Sequence, residues 1–121
     1  MSVNEVLQFL QEAKAFILAT MAGDRPRTRP FGFVMEYRGK LCFCTNNKKA
    51  CYDEMQANPN VEICAMVERK WIRVSGKAVY CTDADSQAQA LALAPVLASM
   101  YQVGDGKFEI FYLDGMLVES Y

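Results

Sequence analysis

Short apolar segments with the two-residue period of β-strands recur along this sequence, and their succession restricts the fold more than any other feature. About seven such segments follow one another, separated by turn signals such as AGDRP and NPN. Sequential strands pair most simply as an antiparallel sheet, and a small barrel closes that sheet without long open edges. The sequence therefore predicts a mainly β fold, a six- to seven-stranded antiparallel barrel with flanking helices, in one domain over residues 1–121.

The individual segments give a more detailed expectation. FILATM is predicted as a strand, RTRPFGFVMEY as one further strand, and KLCFCT as its hairpin partner after the turn at RG. KLCFCT is apolar on both faces, which is typical of a barrel wall covered by a helix or a second subunit. Gly76 within WIRVSGKAVYC predicts a bulge or a sharp bend. Asp114 and Gly115 predict a last hairpin between KFEIFYL and MLVESY.

Three segments have helical character. VNEVLQFLQEAKAF carries an apolar stripe of helical period, and DADSQAQALALAP is rich in alanine and leucine with Asp83 or Asp85 as its N-cap, before a second short helix in VLASMY. The third helix is expected at about residues 48–57, with Asn46 or Asn47 as its cap.

Composition excludes several classes of function. The chain is 52% hydrophobic and 22% charged, and its 13 basic and 14 acidic residues leave a net charge of −1. This balance lacks the excess of cations that binding to nucleic acid requires. No apolar stretch is long enough to span a membrane, and the acidic, amphipathic N-terminus is unlike a signal peptide. The five cysteines lie within apolar runs, so we expect reduced core residues of a cytoplasmic protein.

The sequence contains no histidine. Ser-His-Asp and Cys-His catalysis and histidine-ligated zinc or haem are therefore excluded. A four-cysteine zinc site has no supporting motif, because the one close pair is Cys42-x-Cys44 and no C-x-x-C occurs. We expect no metal site.

The stretch TNNKKA places Lys48 and Lys49 where a helix is expected to begin. Two cations in the first turn oppose the helix macrodipole, at about 0.3–1 kcal/mol each. Their position is favourable if an anion binds there. Thr45 and at least one of Arg25, Arg27 and Arg29, which are spaced by two residues, are predicted to lie nearby. A phosphate monoester fits this group. The alternative is that the lysines are ordinary solvated residues and that the arginines protect an edge strand. No Walker or G-x-G-x-x-G loop occurs.

The stretch RPRTRPFGFVMEYRGKLCFCTNNKKACYDEMQANPNVEICAMVERKWIRVSGKAVYC resembles the pyridoxamine 5′-phosphate oxidase-like, FMN-binding split-barrel proteins. It is most similar to their short branch, which is described as nitroimidazole-reductase-like. TNNKKA with its helix, NPNVEI and WIRVSGKAV carry most of the likeness, and FILATM and KFEIFYL extend it over nearly the whole chain. The resemblance implies a split β-barrel that forms a homodimer, with one FMN in each of two clefts between the subunits.

The resemblance also implies roles for individual residues. Arg29, Lys48 and Lys49 match positions at the FMN phosphate, Cys44 and Thr45 match a segment beside the flavin, and the backbone from Pro30 to Val34 follows the isoalloxazine ring. Trp71 stands where the oxidases usually carry a glutamine that reaches the flavin. The implied cofactor-binding set is Arg29, Pro30, Phe31, Gly32, Val34, Cys44, Thr45, Lys48, Lys49 and Trp71.

The resemblance implies an FMN-dependent oxidoreductase that reduces a small acceptor of nitroaromatic or quinone type, with NAD(P)H as donor. The alternatives are a flavin-binding or redox-sensing module without turnover, and a barrel that binds haem or another phosphorylated ligand. True pyridoxamine 5′-phosphate oxidases hold their substrate with arginine and histidine, so that activity is not expected without histidine. No side chain is singled out as a catalytic acid or base. The subunits are expected to meet through an apolar face that includes Phe31, Phe33, Phe43 and Trp71.

Overall fold

The computed structural model describes residues 1–121. Seven strands form one antiparallel sheet in the order β2-β1-β5-β6-β7-β4-β3, and helices flank it. This architecture confirms the predicted mainly β split barrel. The elements are α1 (Val3–Ala13), β1 (Phe16–Ala22), β2 (Arg25–Phe31), β3 (Met35–Tyr37), β4 (Lys40–Asn46), α2 (Ala50–Ala57), β5 (Asn60–Val67), β6 (Lys70–Tyr80), α3 (Ala84–Leu93), α4 (Pro95–Ala98) and β7 (Phe108–Ser120).

Two hydrophobic clusters lie on opposite sides of β4. Leu41 and Phe43 belong to a cluster of 17 buried residues that also contains α1 residues, whereas Cys42 belongs to a second cluster of seven with residues of α3 and α4. The prediction that this strand is covered on both faces is therefore confirmed. Phe43 is completely buried, with ring centroids 5.7 Å from Phe16 and 5.5 Å from Phe111. The expectation that Phe43 belongs to an exposed dimer face is wrong.

Two of the main helices, α1 and α3, begin with a residue whose side chain caps the helix. At α1, the Ser2 hydroxyl accepts from the Glu5 N–H while the Glu5 carboxylate accepts from the Ser2 N–H, which is a capping box. At α3, Asp83 accepts from the Ser86 N–H at 2.7 Å, so Asp83 is the cap among the two predicted candidates, Asp83 and Asp85. None of the helices is long and apolar enough to cross a membrane.

The predicted single strand RTRPFGFVMEY is in fact two strands at opposite edges of the sheet. β2 ends at Phe31 and pairs only with β1, whereas β3 starts at Met35 and pairs only with β4. The connecting residues Gly32–Val34 lie outside any strand. The alternation of apolar residues continues across the break, so the period alone did not reveal it, although glycine weakens strands at such positions.

The predicted hairpin at Asp114–Gly115 is also wrong, because β7 continues without a turn from Phe108 to Ser120. Along this strand Lys77 pairs with Asp114 and Ser75 pairs with Leu117. One residue of β6, Gly76, is therefore opposite two residues of β7, which form a bulge. Gly115 takes its positive φ of 64° in that bulge. Of the bulge or bend predicted at Gly76, the structure has a bulge, and its extra residue lies on β7 opposite Gly76.

Gly76→Ala is expected to destabilise the sheet at this bulge. An added Cβ would lie 3.0 Å from both the Asp114 carbonyl oxygen and the Leu113 Cβ, so the backbone of the partner strand would have to shift by a few tenths of an ångström. We expect a loss of roughly 1–3 kcal/mol in urea unfolding. Gly32→Ala is the control, since its Cβ would meet only the Lys14 carbonyl oxygen at 3.6 Å. Equal stability of Gly76→Ala and wild type would contradict the tight packing.

Candidate functional site

A groove of about 590 Å³ runs between the end of β2, the end of β4, the start of α2 and α4. We call it the cationic groove, because its lining includes two cationic side chains and no carboxylate. Its volume lies within the range of about 300–1,000 Å³ typical of small-molecule sites. The lining residues are Arg29, Pro30, Phe31, Gly32, Phe33, Cys44, Lys49, Ala50, Cys51, Ala94, Val96 and Leu97.

The start of α2 differs from the prediction. The helix begins at Ala50 with Lys49 as its N-cap residue, and no side chain caps it. Lys48 and Lys49 thus precede the first turn instead of lying in it. Asn46 and Asn47 are not caps either. Asn46 accepts from the Lys48 N–H and donates to the Tyr101 hydroxyl.

Asn47 holds the same loop from its other side. Its side-chain amide donates to the Gly106 carbonyl and to Glu109, and its backbone N–H donates to the Lys107 carbonyl. The two asparagines therefore fasten the loop before α2 to the segment that precedes β7. Asparagine side chains compete well for such local backbone bonds, which explains why they resemble caps in the sequence.

The uncapped start of α2 leaves hydrogen-bond donors unused. The N–H groups of Ala50 and Cys51 donate to no acceptor in the chain, and both residues line the groove together with Lys49. Free N–H groups carry the positive end of the helix dipole. This end of the groove is therefore suited to bind an anion.

Arg29 is held firmly in place by β1 and α2. Its Nη1 donates to the Thr20 hydroxyl at 2.8 Å and to the Leu18 carbonyl at 3.2 Å, and its Nη2 donates to Glu54 at 2.8 Å. The Thr20 hydroxyl donates to the same Glu54 oxygen at 2.6 Å. Arg29 thus reaches the groove with its charge already balanced by a carboxylate, and most of the free positive charge comes from Lys49.

Two titratable groups near the groove have shifted pKa values. The hydrogen bond from Thr20, assisted by Arg29, lowers the pKa of Glu54 against the opposing effect of burial, so the carboxylate stays ionised. Burial raises the pKa of Cys44 to about 12, although Lys49 opposes the shift. Cys44 is therefore a neutral thiol in the groove wall and a poor nucleophile.

The backbone between β2 and β3 provides a second set of free donors. The N–H groups of Gly32, Phe33 and Val34 donate to no acceptor within the chain. Gly32 and Phe33 line the cationic groove, whereas the Val34 side chain is buried in the larger core cluster. Because folded chains rarely leave such groups without a partner, this stretch is suited to bind the polar edge of a ligand.

Six of the ten predicted cofactor-binding residues line the groove: Arg29, Pro30, Phe31, Gly32, Cys44 and Lys49. The other four lie elsewhere within the subunit. Val34 and Thr45 are buried, and the Thr45 hydroxyl lies 3.3 Å from the Cys51 sulfur. Lys48 is exposed outside the lining, and Trp71 lies in a different cleft, stacked on Tyr121 at 4.2 Å.

Sequence reasoning missed the residues that complete the site. Glu54 and Thr20 orient Arg29 across 25 and 9 residues of sequence, and Val96 and Leu97 of α4 form an apolar wall. The Glu54 carboxylate follows the lysines by about one helical turn, which is visible in the sequence. Its pairing with Arg29, however, is set by tertiary structure. Nothing in the short α4 segment indicated that it faces β2.

Comparison with known proteins identifies the family. The family model described as pyridoxamine 5′-phosphate oxidase matches residues 2–114. A NimC/NimA family protein from Clostridium acetobutylicum is 40% identical, with a TM-score of 0.95, over 98% of this chain and 86% of the other. The chain therefore belongs to the pyridoxamine 5′-phosphate oxidase family of split-barrel proteins, in its nitroimidazole-reductase-like branch. No curated protein matches it significantly.

Two more distant structures share the fold at 20% identity. A pyridoxamine 5′-phosphate oxidase-related, FMN-binding protein from Nostoc punctiforme has a TM-score of 0.71, over 97% of this chain and 82% of the other. The haem storage protein HutZ from Vibrio cholerae has a TM-score of 0.70, over 98% of this chain and 95% of the other. The fold therefore occurs with different prosthetic groups.

Glu54→Gln is expected to remove part of the acid sensitivity of folding. The pKa of Glu54 is lowered from its ordinary value of 4.5 in the folded state. Its ionised form therefore stabilises the fold above that value, and the contribution is lost as the pH falls through the lowered pKa. Wild type should be more stable than Glu54→Gln at pH 7, and the gap should close below pH 4.5 in urea unfolding.

The exposed Glu12 offers the matched control. Glu12→Gln should follow the wild-type stability at every pH. A gap between wild type and Glu54→Gln that does not change with pH would show that the carboxylate charge is not what links α2 to Arg29.

Proposed function

We propose that the protein binds FMN in the cationic groove and uses it to reduce a small electron acceptor of nitroaromatic or quinone type. The observation that carries this proposal is the pair of unused donor sets in one groove, at the start of α2 and along Gly32 and Phe33. FMN has an anionic phosphate at one end and a planar ring with polar atoms along one edge. The groove has matching groups for both.

The phosphate end would be bound at the start of α2. The N–H groups of Ala50 and Cys51 and the Lys49 ammonium would hold the phosphate oxygens, and Arg29 would contribute donors not used by Thr20 and Glu54. Charge-assisted hydrogen bonds of this kind contribute about 1.5–3 kcal/mol each. Lys48, exposed beside Lys49, would act on the phosphate only through its more distant charge.

The ring end would lie against the strand break after β2. The free N–H groups of Gly32 and Phe33 would donate to the polar edge of the ring, while Phe31, Val96 and Leu97 would cover apolar surface. Gly32 has no Cβ, so a planar group can approach the backbone closely there. These residues exclude water and fix the orientation of the ring.

A bound flavin supplies hydride or one-electron transfer, and the protein supplies binding, orientation and electrostatics. The groove lining contains no carboxylate and no histidine. Of its two thiols, Cys44 is neutral, because burial raises its pKa to about 12. No side chain of the groove is therefore assigned as an acid or base, and protons would come from solvent. NAD(P)H is the proposed donor.

A redox-sensing module without turnover is the second candidate, and the absence of a proton-transferring side chain favours it. Oxidation of NADPH by the FMN-loaded protein, with menadione as the probe acceptor, separates the two. Turnover stimulated by the acceptor supports the enzyme. Tight FMN binding with no NADPH or NADH oxidation supports the module.

A second copy of the chain is the proposed partner, and the outer face of the sheet is suited to it. Met66, Leu117 and Ile17 are exposed there, on β5, β7 and β1. Arg73 lies between them, with Glu62 and Glu119 each 3.8 Å from its guanidinium nitrogens. Exposed large apolar side chains, methionine and arginine are enriched where subunits meet, which supports this face as the contact.

Trp71 and Tyr121 border this face. Trp71 is paired across the sheet with Met66, and Tyr121 donates its N–H to the Trp71 carbonyl. In a homodimer this stacked pair would be near a groove of the partner, which would reconcile the predicted flavin contact of Trp71 with its absence from the groove of its own subunit.

The first test is the visible absorption spectrum of the purified protein on a sizing column, with and without added FMN. Flavin absorption that co-elutes with protein of dimeric mass supports the proposal. A colourless protein that takes up neither FMN nor riboflavin would refute it, and parallel titration with FAD and haemin would identify another ligand.

Lys49→Ala is expected to weaken FMN binding at least tenfold and to leave riboflavin binding unchanged, because riboflavin lacks the phosphate. Lys48→Ala should have a much smaller effect, since Lys48 does not line the groove, and the double variant should resemble Lys49→Ala. Fluorescence titration with both ligands measures the ratio. Equal losses for FMN and riboflavin would mean that the phosphate is bound elsewhere.

Leu117→Glu is expected to convert the dimer to a monomer, since Leu117 is 60% exposed within the single subunit and a carboxylate would be buried unpaired between subunits. Sedimentation velocity gives the mass. The control is Leu93→Glu, because Leu93 is equally exposed but lies at the end of α3. Dimers in both variants would exclude this face.

A further inference from the structure

A second cavity of about 410 Å³ adjoins the cationic groove. We call it the side cavity. Gly32, Phe33 and Ala94 line both spaces, so a ligand in one lies directly beside a ligand in the other. The side cavity extends from these shared residues to the C-terminal end of α1, where Lys14 lies, and to Leu93 at the end of α3.

The lining of the side cavity combines apolar side chains with the polar Gln11 and a single cation. Phe33, Val34, Leu93 and Ala94 provide apolar surface, and the Leu93 side chain is 60% exposed. Lys14 is the only charged residue of the lining and forms no ion pair with any carboxylate of the chain. A ligand with an apolar body and a negatively charged group would complement both features.

Lys14 also has a strained backbone. Its φ is 69° and its ψ is −49°, and the Ala15 N–H donates to the Ala13 carbonyl at 2.8 Å across it. This geometry is a classic γ-turn, which is rare for residues with a side chain. Glycine would relieve the strain. A lysine at this strained position is consistent with a function of its amine, since strained residues concentrate at functional sites.

We propose that the side cavity binds the electron acceptor, and that this acceptor is a planar apolar compound with an anionic substituent that pairs with Lys14. The proposal rests on the proposed function, because the cavity lies beside the flavin only if the groove holds it. It adds the substrate class and names Lys14 as the residue that selects the anionic substituent and Leu93 as an apolar contact for the body of the ligand.

The test compares 4-nitrobenzoate with neutral nitrobenzene by equilibrium dialysis against FMN-saturated protein, with loading verified by absorption. Lys14→Gly should weaken 4-nitrobenzoate binding about five- to tenfold, as expected for an exposed charge-assisted contact, and leave nitrobenzene unchanged. It should also raise Tm, because the strain is relieved. Lys14→Arg should retain the preference for 4-nitrobenzoate, and Lys14→Met should lose it without a gain in Tm.

Glu68→Gly is the matched control for strain, since Glu68 is exposed and has a φ of 55° outside both spaces. It should raise Tm and leave both ligands unaffected. Leu93→Ser should weaken both ligands. A protein that fails to bind FMN refutes the proposed function at the loading step. FMN-loaded protein that binds the two ligands equally, or whose preference survives in Lys14→Met, refutes the acceptor site alone.

Discussion

The bonds from Arg29 to Thr20 and Glu54 connect β2, β1 and α2, and the groove depends on this connection. β2 is an edge strand, so nothing on its outer side fixes its position, and α2 has weak amphipathic character and no side-chain cap. One guanidinium bonded to a hydroxyl and a carboxylate, all three partly or fully buried, aligns both elements. Such a network is stable only when every member has its partner, which makes the alignment specific.

The same network has an electrostatic consequence. Because Glu54 balances Arg29, the groove does not depend on a high net positive charge. Its anion end consists of one free lysine and directional N–H groups. Directional donors select a compact, multiply hydrogen-bonded anion over a flexible polyanion, whereas an excess of cations would attract any nucleic acid. A net charge of −1 is compatible with such a site.

The sequence predicted what depends on local pattern and failed where tertiary pairing decides. The strands around Gly76, the two-sided burial of β4 and the Asp83 cap all followed from period, composition or cap chemistry. The break after Phe31 did not, because Phe31, Phe33 and Met35 keep the two-residue alternation while the chain moves from one sheet edge to the other. Asp114–Gly115 resembled a hairpin turn, but β6 is long enough to pair with both halves of β7.

Prediction of the site shows the same division. The basic stretch before α2 and the arginines of β2 were identified from their residue types, and one member of each, Lys49 and Arg29, lines the groove. The helix α2 begins two residues later than predicted, and this difference matters chemically. Lys49 is the N-cap residue, and the N–H groups of Ala50 and Cys51 are free. The two asparagines that were predicted as caps instead bind the loop to Tyr101 and Glu109. A lysine at the cap position opposes the dipole only while the helix end is empty, so its cost becomes a gain when an anion binds.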